Sequence, residues 1–250
     1  MKIGRRRLLA GFCGFVATRF GDILVNKANQ GEGSQAVADL ELFDIYDSGG
    51  RWLGTAPRSQ VHAQGFWHRT FQCWIVSRAN GVPRLLLQLR HPDKDTFPDL
   101  LDISCAGHLQ AGEDVADGAR ELEEELGLSV AFEQLWPCGV IAEEDVIGDL
   151  IDREFCHVFA LICEQPLAAY TVQKGEVSGL FTVPLDAFRR LIAGEAEQIE
   201  AQGFVVDERG SRCSLERRIG RSELVPHPAA YYEMLFAGID AMLALADAGA

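Results

Sequence analysis

Three glutamates, Glu121, Glu124 and Glu125, stand at i, i+3 and i+4 within the run GHLQAGEDVADGARELEEELGL that spans 107–128. At about 100 degrees per residue on a helical wheel, Val115, Ala119, Leu122 and Leu126 form one apolar stripe, and the glutamates gather on a different face. Like charges at these spacings repel by roughly 0.2 to 0.5 kcal/mol per pair, and the dipole at a helix C-terminus also disfavours anions. A hard divalent cation such as Mg2+ turns that cost into a coordination site, because it takes oxygen ligands and bridges to substrate phosphates. Arg120 stands one turn before Glu124 and within reach of Glu113, and Gly127 is placed to close the helix.

Gly107, Gly112, Glu113 and the run Arg120-Glu121-Leu122-x-Glu124-Glu125-x-Gly127-Leu128 resemble the box of the Nudix hydrolase superfamily. The chain has six residues, 114–119, where the family pattern has seven, which shortens the loop or first turn ahead of the helix. The resemblance implies that Glu121, Glu124 and Glu125 ligate Mg2+ or Mn2+, with the Gly107 carbonyl a further ligand. It also implies attack of water on a phosphorus of a small phosphorylated substrate, a nucleoside diphosphate linked to another group. Glu124, Glu154 and Arg120 are the expected catalytic residues. The box does not fix the general base, and Glu154, Glu176 and a glutamate of the box itself stand as alternatives.

The flanking segments VHAQGFWHRTF, LLLQLRHPDKDTFPDLLDISCAGH and DREFCHVF, within 40–188, look like the branch related to type I isopentenyl-diphosphate isomerases. That likeness implies a second metal cluster of His62, His68, His108, Asp152 and Glu154. The isomerases use a cysteine directly before the Gly-His pair, where this chain has Ala106; Cys105 lies one residue earlier and, in a strand, faces the other way. The full Arg-Glu-x-x-Glu-Glu set and the missing cysteine both favour hydrolysis over isomerisation. Isomerisation and non-catalytic diphosphate binding are the competing functions. Arg90 and Lys94 follow a strand and are placed to meet a substrate phosphate. Trp67 and Trp74 are expected to pack in the core.

Positioning these groups requires a covered mixed sheet. LELFDIYDSGGRWLGTAPRS reads as a hairpin about Ser48-Gly49-Gly50, and HRTFQCWIVS and RLLLQLR as strands joined across Asn80-Gly81. LLDIS, GVIAE, FCHVFALIC and GLFTVPL read as further strands, some too apolar to face water on either side. Helices are expected over 113–126, 185–193 and 229–245. The expected fold class is α/β (α+β), and the resemblance implies a Nudix-like α/β/α sandwich around the mixed sheet. Residues 39–250 form the domain, and 1–38 an extension and linker whose start, MKIGRRRLLAGFCGFVA, is read as an export signal or as lying upstream of the true start.

The 250 residues are enough to bury a large core without metal or disulfide staples. A hydrophobic share of 48% and a charged share of 24% exclude disordered and fibrous classes. With 37 acidic residues against 23 basic ones, a net charge of -14 argues against nucleic-acid binding. The seven cysteines are scattered without a C-x-x-C pair, as expected of reduced thiols in a cytoplasmic protein. No membrane partner is expected, and assembly into a homodimer is compatible with the sequence.

Overall fold

A computed structural model describes residues 41–78, 81–148 and 150–249, which belong to one compact unit. The expectations for 1–38, and for Asn80 in the β-turn, lie outside the described residues. The strands are β1 (Leu42–Tyr46), β2 (Trp52–Pro57), β3 (Trp67–Ser77), β4 (Arg84–Arg90), β5 (Leu101–Asp102), β6 (Cys105–His108), β7 (Trp136–Ile147), β8 (Leu150–Ile162), β9 (Val177–Pro184), β10 (Gln198–Val206) and β11 (Arg212–Gly220). The α-helices are α1 (Arg58–Gln64), α2 (Arg120–Leu126), α3 (Leu185–Ile192) and α4 (Ala229–Ala248).

All the strands join one sheet whose main path runs β11-β10-β9-β4-β3-β1-β2. It is mixed: most pairs are antiparallel, while β8 runs parallel to β3 from Trp67↔Arg153 to Val76↔Ile162. Strand alternation sends Trp74 and Val76 of β3 into one core and Phe71, Cys73 and Ile75 into another. The first core also takes Phe188 of α3 and Tyr231, Leu235 and Ile239 of α4, and the second takes Leu122 and Leu126 of α2. Helices therefore cover both faces, as the apolar strands require. Helix α4 is long and apolar enough to cross a membrane by length and composition alone. Here its Tyr231, Leu235, Ile239 and Met242 form the inner wall of the first core.

The acidic helix begins later than its periodicity suggests. The expected helix over 113–126 starts only at Arg120, preceded by a 3-10 turn at Asp117–Ala119. Asp114 Oδ1 accepts from the backbone N–H of Ala116 and Asp117, and Asp117 Oδ2 accepts from the N–H of Asp114. These local side-chain bonds compete with the first helical turn and hold it back. Helix α1 and strands β10 and β11 were not anticipated. Strand β11 is mostly exposed and charged and reads as loop, while α1 has only 7 residues, too few to display a period.

Candidate active site

The box segment wraps its carboxylates around one arginine. Arg120 Nε and Nη2 donate to Glu113 at 2.9 and 3.1 Å, and Nη1 donates to Glu121 at 2.6 Å and Glu124 at 3.2 Å. Nη2 also donates to the His108 carbonyl at 3.2 Å, which straps α2 to β6. Glu113 turns back to accept from the Gln110 N–H at 2.7 Å, so it shapes the loop ahead of the helix. Gly127 closes α2 with φ +65°, a left-handed conformation that suits glycine. Gly107 lies so close to α2 that an added Cβ would stand 2.2 Å from Glu121 Cδ.

Glu121, Glu124 and Glu125 all line one cleft of about 280 Å³. Burial raises the Glu125 carboxyl to about 8, with Lys94 opposing and Glu121 adding to that rise. Burial likewise raises Glu121, against the pull of Arg120. Removing carboxylates from water penalises their charged forms, so a cation here restores both.

The histidines and the E-x-E-like pair meet beside this cleft, with His108, Asp152 and Glu154 lining it. His62 comes from the last turn of α1, His68 from β3, His108 from β6, and Asp152 and Glu154 from β8. Ligand atoms of His62, His68 and His108 lie within 4.8 Å of one another, as do those of His68, Asp152 and Glu154. Asp152 Oδ1 stands 3.6 Å from both His62 Nε2 and His68 Nε2, and Glu154 Oε1 stands 3.6 Å from His108 Nε2. His68 Nδ1 faces the Phe66 carbonyl at 3.2 Å, and since a carbonyl only accepts, the proton sits on Nδ1 and Nε2 keeps its lone pair. Phe43 stacks on His108 and His68 with ring centroids at 4.8 and 5.5 Å and holds the rings in place.

His62 Nε2, His68 Nε2, His108 Nε2 and Asp152 Oδ1 are buried without a hydrogen-bond partner among the described residues. Burial pulls His62 down to about 4 and His68 to about 3, and lowers His108 as well, so the imidazoles are neutral at physiological pH. Burial raises both Asp152 and Glu154, with the charge of Asp145 adding to the rise of Asp152 and that of Asp152 to the rise of Glu154. Neutral imidazoles with inward lone pairs beside carboxylates that are costly to leave unpaired fit a divalent cation.

The remaining expected residues divide. Arg90 lines the cleft, but Nη1 is committed to Asp102 at 2.8 Å and Nη2 to the Thr96 carbonyl at 2.9 Å, so it ties the following loop to the sheet. Lys94 also lines the cleft and is paired with Glu176. Trp67 stacks on Phe155 at 4.9 Å, and Trp74 is buried in the first core. Cys105 belongs to the second core while Ala106 lines the cleft, so the two face apart.

Other cleft groups escaped the sequence reading. Register places Glu143 opposite Glu154 and Asp145 opposite Asp152, and all four line the cleft. The alternation of Glu143 and Asp145 within an apolar strand was the available signal. His227, from the segment before α4, lies 3.1 Å from Glu143 Oε2 and 3.8 Å from Asp102 Oδ1 and stacks on Tyr231 at 4.2 Å. Burial alone would lower its pKa, but the two carboxylates overcome that and raise it to about 9.

The family model described as NUDIX domain matches residues 67–202. An uncharacterized Nudix hydrolase of Clostridium acetobutylicum is 40% identical over 195 residues, covering 78% of this chain and 95% of that protein. An isopentenyl-diphosphate Delta-isomerase of Serratia proteamaculans is 34% identical over 120 residues, 48% of this chain and 64% of that one. A crystal structure of a Deinococcus radiodurans protein aligns with a TM-score of 0.46 at 22% identity, over 62% of this chain and 91% of that chain.

Proposed function

Because the chain belongs to the Nudix hydrolase family, we propose that it cleaves a diphosphate linkage in a small nucleotide or related diphosphate, with Mg2+ held by Glu121, Glu124 and Glu125. The observation that carries this reading is the convergence of those carboxylates on one cleft, with Arg120 bonded to two of them. When bound, the ion supplies positive charge against the phosphoryl oxygens in the transition state. Gly107 leaves room for Glu121, and Arg120 holds Glu121 and Glu124 in register with the loop through Glu113 and His108.

In the reaction a water oxygen forms a bond to phosphorus, the bond from phosphorus to the bridging oxygen breaks, and the water proton passes to a carboxylate. Glu154, Glu176 and the box glutamates are carboxylates of the cleft suited to accept it. His62, His68, His108, Asp152 and Glu154 would hold a second divalent ion, Mn2+ or a softer one.

That second cluster is also what favours an isomerase reading, since the resemblance places the isomerase metal there. Ala106 argues against it, because a methyl group cannot donate or take the proton that must move along an alkene. Purified protein with Mg2+ should release phosphate or a monophosphate from a member of a panel of nucleoside diphosphates, triphosphates, sugar nucleotides and prenyl diphosphates. Glu124→Gln should lower that release at least 100-fold, on the scale of losing transition-state electrostatics. Dimethylallyl diphosphate formed from isopentenyl diphosphate would establish the isomerase reading instead.

A further inference from the structure

Gln72 occupies the cleft floor without a part in the chemistry above. It lies on β3 opposite Ala106 of β6, is 4% exposed, and lines the cleft. Trp74 Nε1–H donates to Tyr231 Oη at 2.9 Å, and the Tyr231 hydroxyl donates to Gln72 at 2.7 Å. An indole nitrogen only donates, so the phenol oxygen accepts from it and its single proton goes to Gln72. The amide atom that receives this proton must be Oε1, which settles the orientation of the amide on chemical grounds. Nε2, with its two N–H groups, makes no hydrogen bond among the described residues.

The arginines and the lysine that line the cleft are already engaged. Arg58 pairs with Glu41, Arg90 with Asp102, Lys94 with Glu176, and Arg120 with Glu113, Glu121 and Glu124. Gln72 instead presents a neutral donor, locked from behind by a buried relay, where the small side chain of Ala106 leaves the floor open. A ligand with no acceptor at that place leaves a fixed, largely buried donor unpaired, and sites of this kind discriminate strongly against such ligands.

We propose that Gln72 Nε2 is a substrate-binding donor that recognises an oxygen-bearing group attached to the diphosphate. Within the substrate range proposed above, a nucleoside- or sugar-linked diphosphate satisfies this donor and a hydrocarbon-linked one is disfavoured. Tyr231 is a positioning residue that acts through Gln72. This inference rests on the reading of the cleft as the substrate site.

The test is calorimetric binding, with Mg2+ present, of α,β-methylene-ADP and of isopentenyl diphosphate to the full chain, to Gln72→Met and to Tyr231→Phe. Both ligands carry two phosphorus atoms in tandem, so the ratio of their affinities cancels common effects of charge and metal. The parent is expected to prefer the nucleotide about tenfold, and Gln72→Met to weaken nucleotide binding about tenfold while leaving isopentenyl diphosphate within twofold. Tyr231→Phe, which removes one hydroxyl and little volume, should cut the preference about threefold and serves if Gln72→Met does not fold. Equal binding of the two ligands by the parent, absent binding of both, or a parallel change for both in Gln72→Met overturns the proposal. Turnover by Glu124→Gln tests the hydrolase reading separately: if that variant keeps its activity while nucleotide preference follows Gln72, the hydrolase reading falls and this one stands.

Discussion

His227 shows how a single side chain joins parts of the cleft that the sequence leaves far apart. It sits between Asp102 on β5 and Glu143 on β7, and Asp102 also holds Arg90. Its folded pKa of about 9 exceeds its ordinary 6.5, so its contribution to stability is complete below pH 6.5 and is lost as pH rises through about 9. A displacement of that size is worth on the order of 3 kcal/mol for a group this deeply buried. Urea unfolding of the metal-free protein at pH 6.5 and pH 9 should therefore show a fall in stability that is smaller in His227→Gln. Equal falls in parent and variant would remove His227 as the source. This residue was not legible in advance, because its partners lie 125 and 84 positions away and no local spacing announces them. Glu121, Glu124 and Glu125 were legible because a helix turns a spacing of three and four into a shared face.

At the scale of elements, the placement of α2 is set by glycines that face it. Gly107 of β6 meets Glu121, whereas Gly118, in the turn before the helix, meets Phe71 and Leu109 of the second core. Gly107→Ala should push the Glu121 carboxylate aside while leaving the apolar contacts intact. Activity is expected to fall about 100-fold, as misplacement of roughly 1 Å can do, with a thermal midpoint close to the parent. Gly118→Ala should behave in the opposite manner, with a stability loss of about 1 to 3 kcal/mol from overpacking and Mn2+ affinity within threefold of the parent. Calorimetric Mn2+ titration and thermal melts of the two variants separate these outcomes, and an unchanged Mn2+ affinity and activity in Gly107→Ala would contradict the role given to Glu121. The strands that build the cleft, β3, β4 and β8, were readable from long apolar runs. The start of α2 was not, because Asp114 and Asp117 hold its first turn through bonds that hydrophobic periodicity does not register.

Over the whole described molecule, two oxygen- and nitrogen-rich clusters open on one cleft where carboxylates outnumber cationic groups. The histidine cluster leaves several buried polar atoms without partners among the described residues, and each such atom costs about 1 to 3 kcal/mol until something pairs with it. An ion that binds the folded form alone adds about 2.7 kcal/mol at a hundred times its dissociation constant. For a chain of this size that corresponds to a rise in thermal midpoint of about 5 to 10 °C. Mn2+ added to chelator-treated protein should therefore raise the midpoint by that amount. Glu124→Gln should keep most of the rise, since its side chain is half exposed and belongs to the box cluster. His68→Gln should lose most of it, because its imidazole is fully buried at the shared corner of both ligand triplets. An equal rise in parent and His68→Gln would place the stabilising ion elsewhere, and a loss of the rise in Glu124→Gln alone would mean that the box, and not the histidines, holds the ion on which the fold depends.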